Sequence, residues 1–352
     1  MQSKQLITVL LIFLATAVSA FAPLPLETSG RIVLALALLS AICWTLEPIS
    51  IELTALCLLL ALPLSGVATF ESAFSAFGRP AVWLVFAGMV ISQLITETRL
   101  SDLLSGIIIG RLRKPVAFIL ELSLLGLVLA ILIPSGTVRV LIILPVLIGI
   151  IDALKADKGS PLSAAIILAV VCATYYGGTG ILTASVPNLV IMGVLESREA
   201  PVYWAQWAGY VLPVIGIIRV LVGAILILLI FRPTIPDLKH LKRPEKAALG
   251  GREIRALLLL FLGVAAWSTD IIHHVHPVMI GLALTILCIT PGIGPLSTEH
   301  LRKVNYPILI YIGSVFALGE AIVDSGASQA LAGVITSWLQ LDTISMSEQW
   351  AA

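Results

Sequence analysis

Of 352 residues, 59% are hydrophobic and only 12% are charged, and the net charge is +1. A soluble domain carries about 25% charge, so this composition, with a mean hydropathy of +1.07, excludes an ordinary soluble enzyme, while the net charge itself says nothing of nucleic acid, which is not expected as a partner. An all-α polytopic membrane protein is the fold class it implies, and Cys43, Cys57, Cys172 and Cys288, all in apolar runs without paired spacing, read as small buried hydrophobes rather than a disulfide or zinc framework.

Lys4 precedes an apolar run, Leu6–Ala22, which reads as a transmembrane helix within residues 1–30. Val18-Ser19-Ala20 resembles a small-residue cleavage site, so a signal peptide is the alternative. Further spans are expected at Ile32–Leu46, Leu53–Gly66, Pro80–Thr96, Pro201–Phe231, Ala256–Thr269, Pro277–Ile293 and Pro307–Ile322.

Two segments depart from a simple span. Pro115–Pro134 is apolar except for Glu121, then meets Ser135-Gly136-Thr137, and Val140–Ile151 runs on for only twelve residues. So short a second arm predicts a re-entrant hairpin over 115–152, with a polar tip that must line a protein cavity. Glu121 and Arg139 are candidates to pair with each other inside it. Gly159–Leu195 is uncharged and far longer than one span. Within it, Tyr175-Tyr176-Gly177-Gly178-Thr179-Gly180 leads to Ser185-Val186-Pro187-Asn188, where three glycines and a proline disfavour continuous helix. A broken helix over 159–196 is predicted, the arrangement with which secondary transporters build a site at the membrane midplane.

Arg99, Arg111, Arg113 and Lys114 precede the hairpin, Lys155 and Lys158 follow it, and 232–255 forms a basic linker. Placing these in the cytoplasm with Arg302 and Lys303 puts the N-terminus inside as well, in a bacterial-type plasma membrane. His273, His274 and His276 then face outward, without the carboxylate or cysteine cluster that a metal site would need. Glu97, Glu320 and Asp324 fall near span ends and read as interfacial.

The chain also repeats itself. Trp44-Thr45-Leu46-Glu47 has a counterpart in Trp267-Ser268-Thr269-Asp270. Pro80 meets Pro307 at an offset of 227, and at that offset Gln93 meets Glu320, Glu97 meets Asp324 and Leu104 meets Leu331. A hairpin that does not cross leaves the first unit with an odd number of crossings, which predicts an inverted-topology repeat. The domain reading is a first repeat at 31–231, a linker at 232–255 and a partial second repeat at 256–352. Partners of the tip and of the broken segment are expected about 227 residues on, beyond Ala352, so the second repeat reads as cut within its hairpin.

With these motifs in view, residues from about 30 to 340 resemble the divalent anion:sodium symporter family. Its members carry Ser-Asn-Thr at a hairpin tip and Gly-Gly-Thr leading to Thr-Pro-Pro-Asn in a broken helix. Ser135 and Thr137 match the first motif, with Gly136 in place of Asn. Gly177, Gly178 and Thr179 match the second, as do Pro187 and Asn188, while Ser185 stands for Thr and Val186 for Pro. The resemblance implies cation binding by Ser135, Thr137, Gly177, Gly178 and Thr179, with sodium as coupling ion and no other cofactor. It implies substrate binding by Ser135, Gly136, Thr137, Ser185, Pro187 and Asn188, an elevator-like motion, and a homodimer. Arg139, an intramembrane cation, joins the substrate set, either as an anion contact in place of the lost amide or as a replacement for a sodium ion's charge. The function implied is transport of a small divalent anion, a di- or tricarboxylate or sulfate. A sodium/proton antiporter or an arsenite or citrate carrier of the same superfamily is one alternative, and a truncated, non-transporting remnant is another. No nucleophile–base pair or phosphate loop points to an enzyme.

Overall fold

The computed structural model describes residues 26–98, 100, 115–157, 159–234 and 249–338. The N-terminal run, the basic cluster from Arg99 to Lys114, Lys158 and most of the basic linker lie outside these residues. Among the described residues every regular element is helical. Among the described residues, four helices are long and apolar enough to cross a membrane, and a fifth span results if the pair Phe70–Gly78 and Pro80–Thr96, bent by 45°, counts as one. The chain is an all-α polytopic membrane protein.

The chain divides into two compact units, residues 1–82 with 305–352, and residues 83–304. The first holds α1 (Thr28–Leu46), α2 (Ile51–Leu64), α3 (Phe70–Ser75) with a following 3-10 turn, and the start of α4 (Pro80–Thr96). Ser50 caps α2, its hydroxyl accepting from Leu53 N–H at 3.3 Å, and Glu47 ends α1 in the left-handed region. Two helices from far along the chain complete this unit, α14 (Tyr306–Asp324) and α15 (Ala327–Trp338). α14 packs against α2. Gly313 makes room for the Phe77 ring, whose nearest atom lies 2.6 Å from where a Cβ would sit. Arg79 pairs with Glu320 and lies over Phe316, 5.0 Å from its ring centre, so Glu320 is an ion-pair partner as well as a residue near a span end.

The second unit contains the rest of α4, α5 (Pro115–Leu132), α6 (Gly136–Ala153), α7 (Pro161–Thr179), α8 (Val186–Ser197), α9 (Trp204–Val211), α10 (Arg219–Phe231), α11 (Gly251–Ser268), α12 (Asp270–His273) and α13 (Pro277–Ile289). α5 and α7 cross closely, because Gly126 brings the two backbones together: a Cβ there would stand 2.8 Å from the Val170 carbonyl. Between α9 and α10 the helix widens to π geometry over Leu212–Ile218, where Pro213 lacks the N–H that the ordinary ladder needs. The expected Pro201–Phe231 span is therefore one continuous but irregular helical segment. α10 leaves Leu221, Leu226, Leu229 and Ile230 exposed, a face suited to lipid rather than water.

Apart from the short α12, the order of elements in 251–324 parallels that in 28–96. α11 corresponds to α1, α13 to α2, a 3-10 turn at Thr298–Lys303 to α3 and its turn, and α14 to α4, with Pro80 and Pro307 each in a first turn. The counterparts pack reciprocally. In the first unit α14 lies on α2, and in the second Gly281 of α13 admits Leu84 and Ala87 of α4.

Three expectations are corrected. The second arm of the hairpin is not a twelve-residue remnant: α6 runs 18 residues from Gly136 and tolerates Pro145, because Ser135 caps it earlier than the apolar run begins. Cys57 is exposed and Cys172 half-buried, while Cys43 and Cys288 are buried. α11 begins at Gly251, inside the stretch assigned to the linker.

Candidate functional site

α6 starts where it does because Ser135, in extended conformation, accepts from Val138 N–H at 3.4 Å. Helical side chains lean toward the N-terminus. Arg139, in the first turn, accordingly folds back over the break that joins α5 to α6. It is only 1% exposed. Its Nη1 donates to the Ile133 carbonyl at 2.6 Å and to the Ala184 carbonyl at 3.0 Å, and its Nη2 donates to the Thr174 carbonyl at 3.2 Å. One guanidinium thus ties the tip before α6, the last turns of α7 and the segment before α8. The expected pair with Glu121 does not form, since Glu121 is exposed on α5 and the guanidinium's partners are main-chain oxygens.

Two glycines leave the space this arginine fills. A Cβ on Gly178 would stand 2.7 Å from Nη2, and one on Gly136 would stand 3.5 Å from Nη2 and 3.2 Å from the Tyr175 ring. Arg139 Nε and the Thr174 hydroxyl are buried without a hydrogen-bond partner.

α7 ends at Thr179, and the chain turns through Gly180 and Ile181 to an extended Ser185 before α8 begins. Asn188, 3% exposed, reaches back across this break, its Nδ2 donating to the Gly178 and Ile181 carbonyls at 2.9 Å each. Two tryptophans brace it from α9. Trp204 Nε1 donates to Thr183 Oγ1 at 3.1 Å and Trp207 Nε1 to the Thr179 carbonyl at 3.1 Å. The start of α9 is itself held by the fully buried Asp270, whose carboxylate accepts from Trp204 N–H at 2.6 Å and Ala205 N–H at 3.2 Å. Gly180 lets the π segment approach, with Leu212 Cα 2.8 Å from where its Cβ would sit.

No side chain caps α8, and Pro187 lacks an N–H. The first N–H groups of α8 and its positive dipole end remain available to an anion. Ser185 is half-buried and Pro187 exposed at this start.

The structure therefore brings Ser135, Gly136, Arg139, Gly178 and Asn188 together, with Ser185 and Pro187 at the entrance to α8. Gly177 instead faces Leu127 of α5, 2.6 Å from its virtual Cβ, and the Thr179 hydroxyl donates to the Tyr176 carbonyl at 2.6 Å. The Thr137 backbone lies in the first turn of α6, and its side chain is outside the described residues. Thr174, Trp204, Trp207 and Asp270 were missed by sequence reasoning. No local pattern in the sequence marks their contacts. Farther off, His276 Nε2 meets Glu196 Oε1 at 2.8 Å, a pair that joins the end of α8 to the start of α13.

The family model described as citrate transporter matches residues 41–347. The chain belongs to the citrate transporter family. A membrane protein of Cupriavidus necator is 25% identical over 88% of this chain and 65% of its own length. An uncharacterized transporter of Haemophilus influenzae is 24% identical over 89% and 69%. A protein of Staphylococcus saprophyticus named sodium-dependent dicarboxylate transporter is 26% identical over 88% and 66%. The chain spans about two thirds of the length of these relatives. Citrate transporters and the named dicarboxylate transporters are carriers, not enzymes, and the likeness to divalent-anion symporters read from Gly177-Gly178-Thr179 and Pro187-Asn188 agrees with both comparisons.

Proposed function

We propose that this chain forms a substrate half-site of a secondary carrier for a small anion with two or three carboxylates. The observation that carries the reading is the junction itself: Arg139 holds the tip before α6 and the break before α8 in one place, and α8 starts there without a side-chain cap. A carboxylate docks against the first N–H groups of α8, beside Ser185 and Asn188. Ser135 and the start of α6 flank it. Broken helices whose N-termini face an anionic group are a recurrent device of such carriers. The relatives' sodium dependence, the inverted membrane orientation of the two repeats, the cytoplasmic N-terminus and a homodimer belong to the same reading.

The test is uptake of labelled succinate, citrate and sulfate into proteoliposomes, with sodium or choline outside. Saturable uptake of a carboxylate that is inhibited by unlabelled succinate supports the proposal. Uptake of sulfate alone, or of none of the three, refutes it.

A further inference from the structure

We propose that Arg139 is a tethered cation: its guanidinium fills the position between the tip and the break where a coupling cation would otherwise sit, so this half-site takes one sodium ion fewer. The inference rests on the carrier reading above for its meaning, but not for its geometry.

Three observations carry it. The partners are those of a hard metal ion rather than those of a substrate-binding arginine. They are three main-chain carbonyl oxygens at 2.6, 3.0 and 3.2 Å, drawn from three separate stretches of chain. Converging carbonyls of this kind replace the hydration shell of an alkali ion, and oxygen donors suit such ions. Next, at 1% exposure the guanidinium is sealed from any solute in this arrangement, which separates a cation that organises the loops from one that touches the anion. Finally, the partners bring no negative charge, so the full positive charge is left to act on the start of α8, where the anion is proposed to dock. An arginine is suited to this task because it stays charged.

The same geometry accounts for the glycine at 178. Gly136 and Gly178 both face Nη2, at 3.5 and 2.7 Å from their virtual Cβ positions. A larger residue at 178 competes for the volume that the guanidinium occupies, whereas a Cβ at 136 would meet it at ordinary contact distance and press first on the Tyr175 ring. The glycine at 178 and the arginine at 139 are thus one structural solution.

The experiment compares the wild-type chain with R139K, R139Q and R139A by two readouts. One is the thermal midpoint of the purified protein with sodium, choline or methylguanidinium chloride at equal ionic strength. The other is the sodium dependence of succinate uptake in proteoliposomes. We expect R139Q and R139A to gain a saturable stabilisation by sodium and by methylguanidinium that the wild type and R139K lack. We expect their uptake to fall at least tenfold in choline and to depend on sodium with an order higher by one. R139Q keeps a hydrogen-bond donor and carries the test should R139A fail to fold. Sodium and methylguanidinium responses of R139Q that equal those of the wild type would overturn the inference. Absence of uptake in every protein, with the thermal gain present, would refute the carrier reading and leave the tethered cation standing.

Discussion

Replacing Gly178 with alanine tests how firmly the buried arginine is held. The added Cβ would stand 2.7 Å from Arg139 Nη2 and 3.7 Å from the Ala184 carbonyl, whereas unstrained heavy-atom contacts begin at about 3.5 Å. The guanidinium must give way, and it is pinned by three carbonyls. Losing the Nη2 bond to Thr174 removes a charge-assisted hydrogen bond of about 1.5–3 kcal/mol, and overpacking adds about 1–3 kcal/mol. Alanine recovers up to about 1 kcal/mol of helix propensity over glycine, which leaves a net loss of about 3 kcal/mol. Gly149→Ala is the reference, because nothing lies within 4 Å of that position on α6. It should be neutral or stabilising by about 0.5–1 kcal/mol. Reversible unfolding in mixed micelles reads both. The sharper test is a double-mutant cycle: with Arg139→Ala in place, Gly178→Ala should lose most of its cost. A cost for Gly178→Ala within 0.5 kcal/mol of that for Gly149→Ala, or one unchanged by removal of the arginine, would refute the claim that the guanidinium is locked in place.

Asn188→Ala should destabilise by about 2–4 kcal/mol, since two buried carbonyls lose their amide donor, and should lower the apparent affinity for succinate in uptake assays. Asp270→Ala should lower stability by about 2–4 kcal/mol in the same micelle assay, because a buried and a half-buried N–H group at the start of α9 lose a charged acceptor; Asp270→Asn, which keeps one acceptor oxygen, should cost about half as much. Beyond the end of α4, a hydrogen bond from Lys303 holds the Glu97 carboxyl below the usual carboxylate range, with His300 adding a smaller pull. The folded state therefore binds this proton less readily than the unfolded chain. The pair's contribution is full above the ordinary glutamate value of about 4.3 and is lost as pH falls through the depressed folded value. Glu97→Gln should flatten that acid limb in thermal melts from pH 6 to 3, and an unchanged acid limb would refute the pairing.

The broken helix was legible because glycine and proline act on the local backbone, and the α-helix stops between Gly180 and Ser185, with a 3-10 turn at Leu182–Ala184. Pro80 and Pro307 were legible for the same reason, and each lies in the first turn of its helix. The environment of Arg139 was not. Its acceptors are main-chain oxygens of Ile133, Thr174 and Ala184, and a carbonyl leaves no mark on residue identity. Charge alone suggested Glu121 as partner, but Glu121 points off the exposed face of α5. The length of α6 was misjudged for a related reason. Apolarity marks where a helix meets lipid, while a capping serine marks where it begins, and at Ser135 the two differ by several residues. The Asp270 and tryptophan contacts depend on chain crossings some 20 to 66 residues apart, which no local pattern encodes.

The reciprocal pairing of α2 with α14 and of α4 with α13 has a consequence for biosynthesis. α2 leaves the ribosome some 250 residues before the helix that covers it, which at about 5–20 residues per second is a wait of roughly 12–50 s. During that interval its packing face has only lipid, or an insertion chaperone, for company. Neither α2 nor α4 can then reach its final packing before the later helices are made. A ribosome stalled within the linker would leave a membrane-inserted intermediate with an uncovered face, a natural target for quality-control proteolysis.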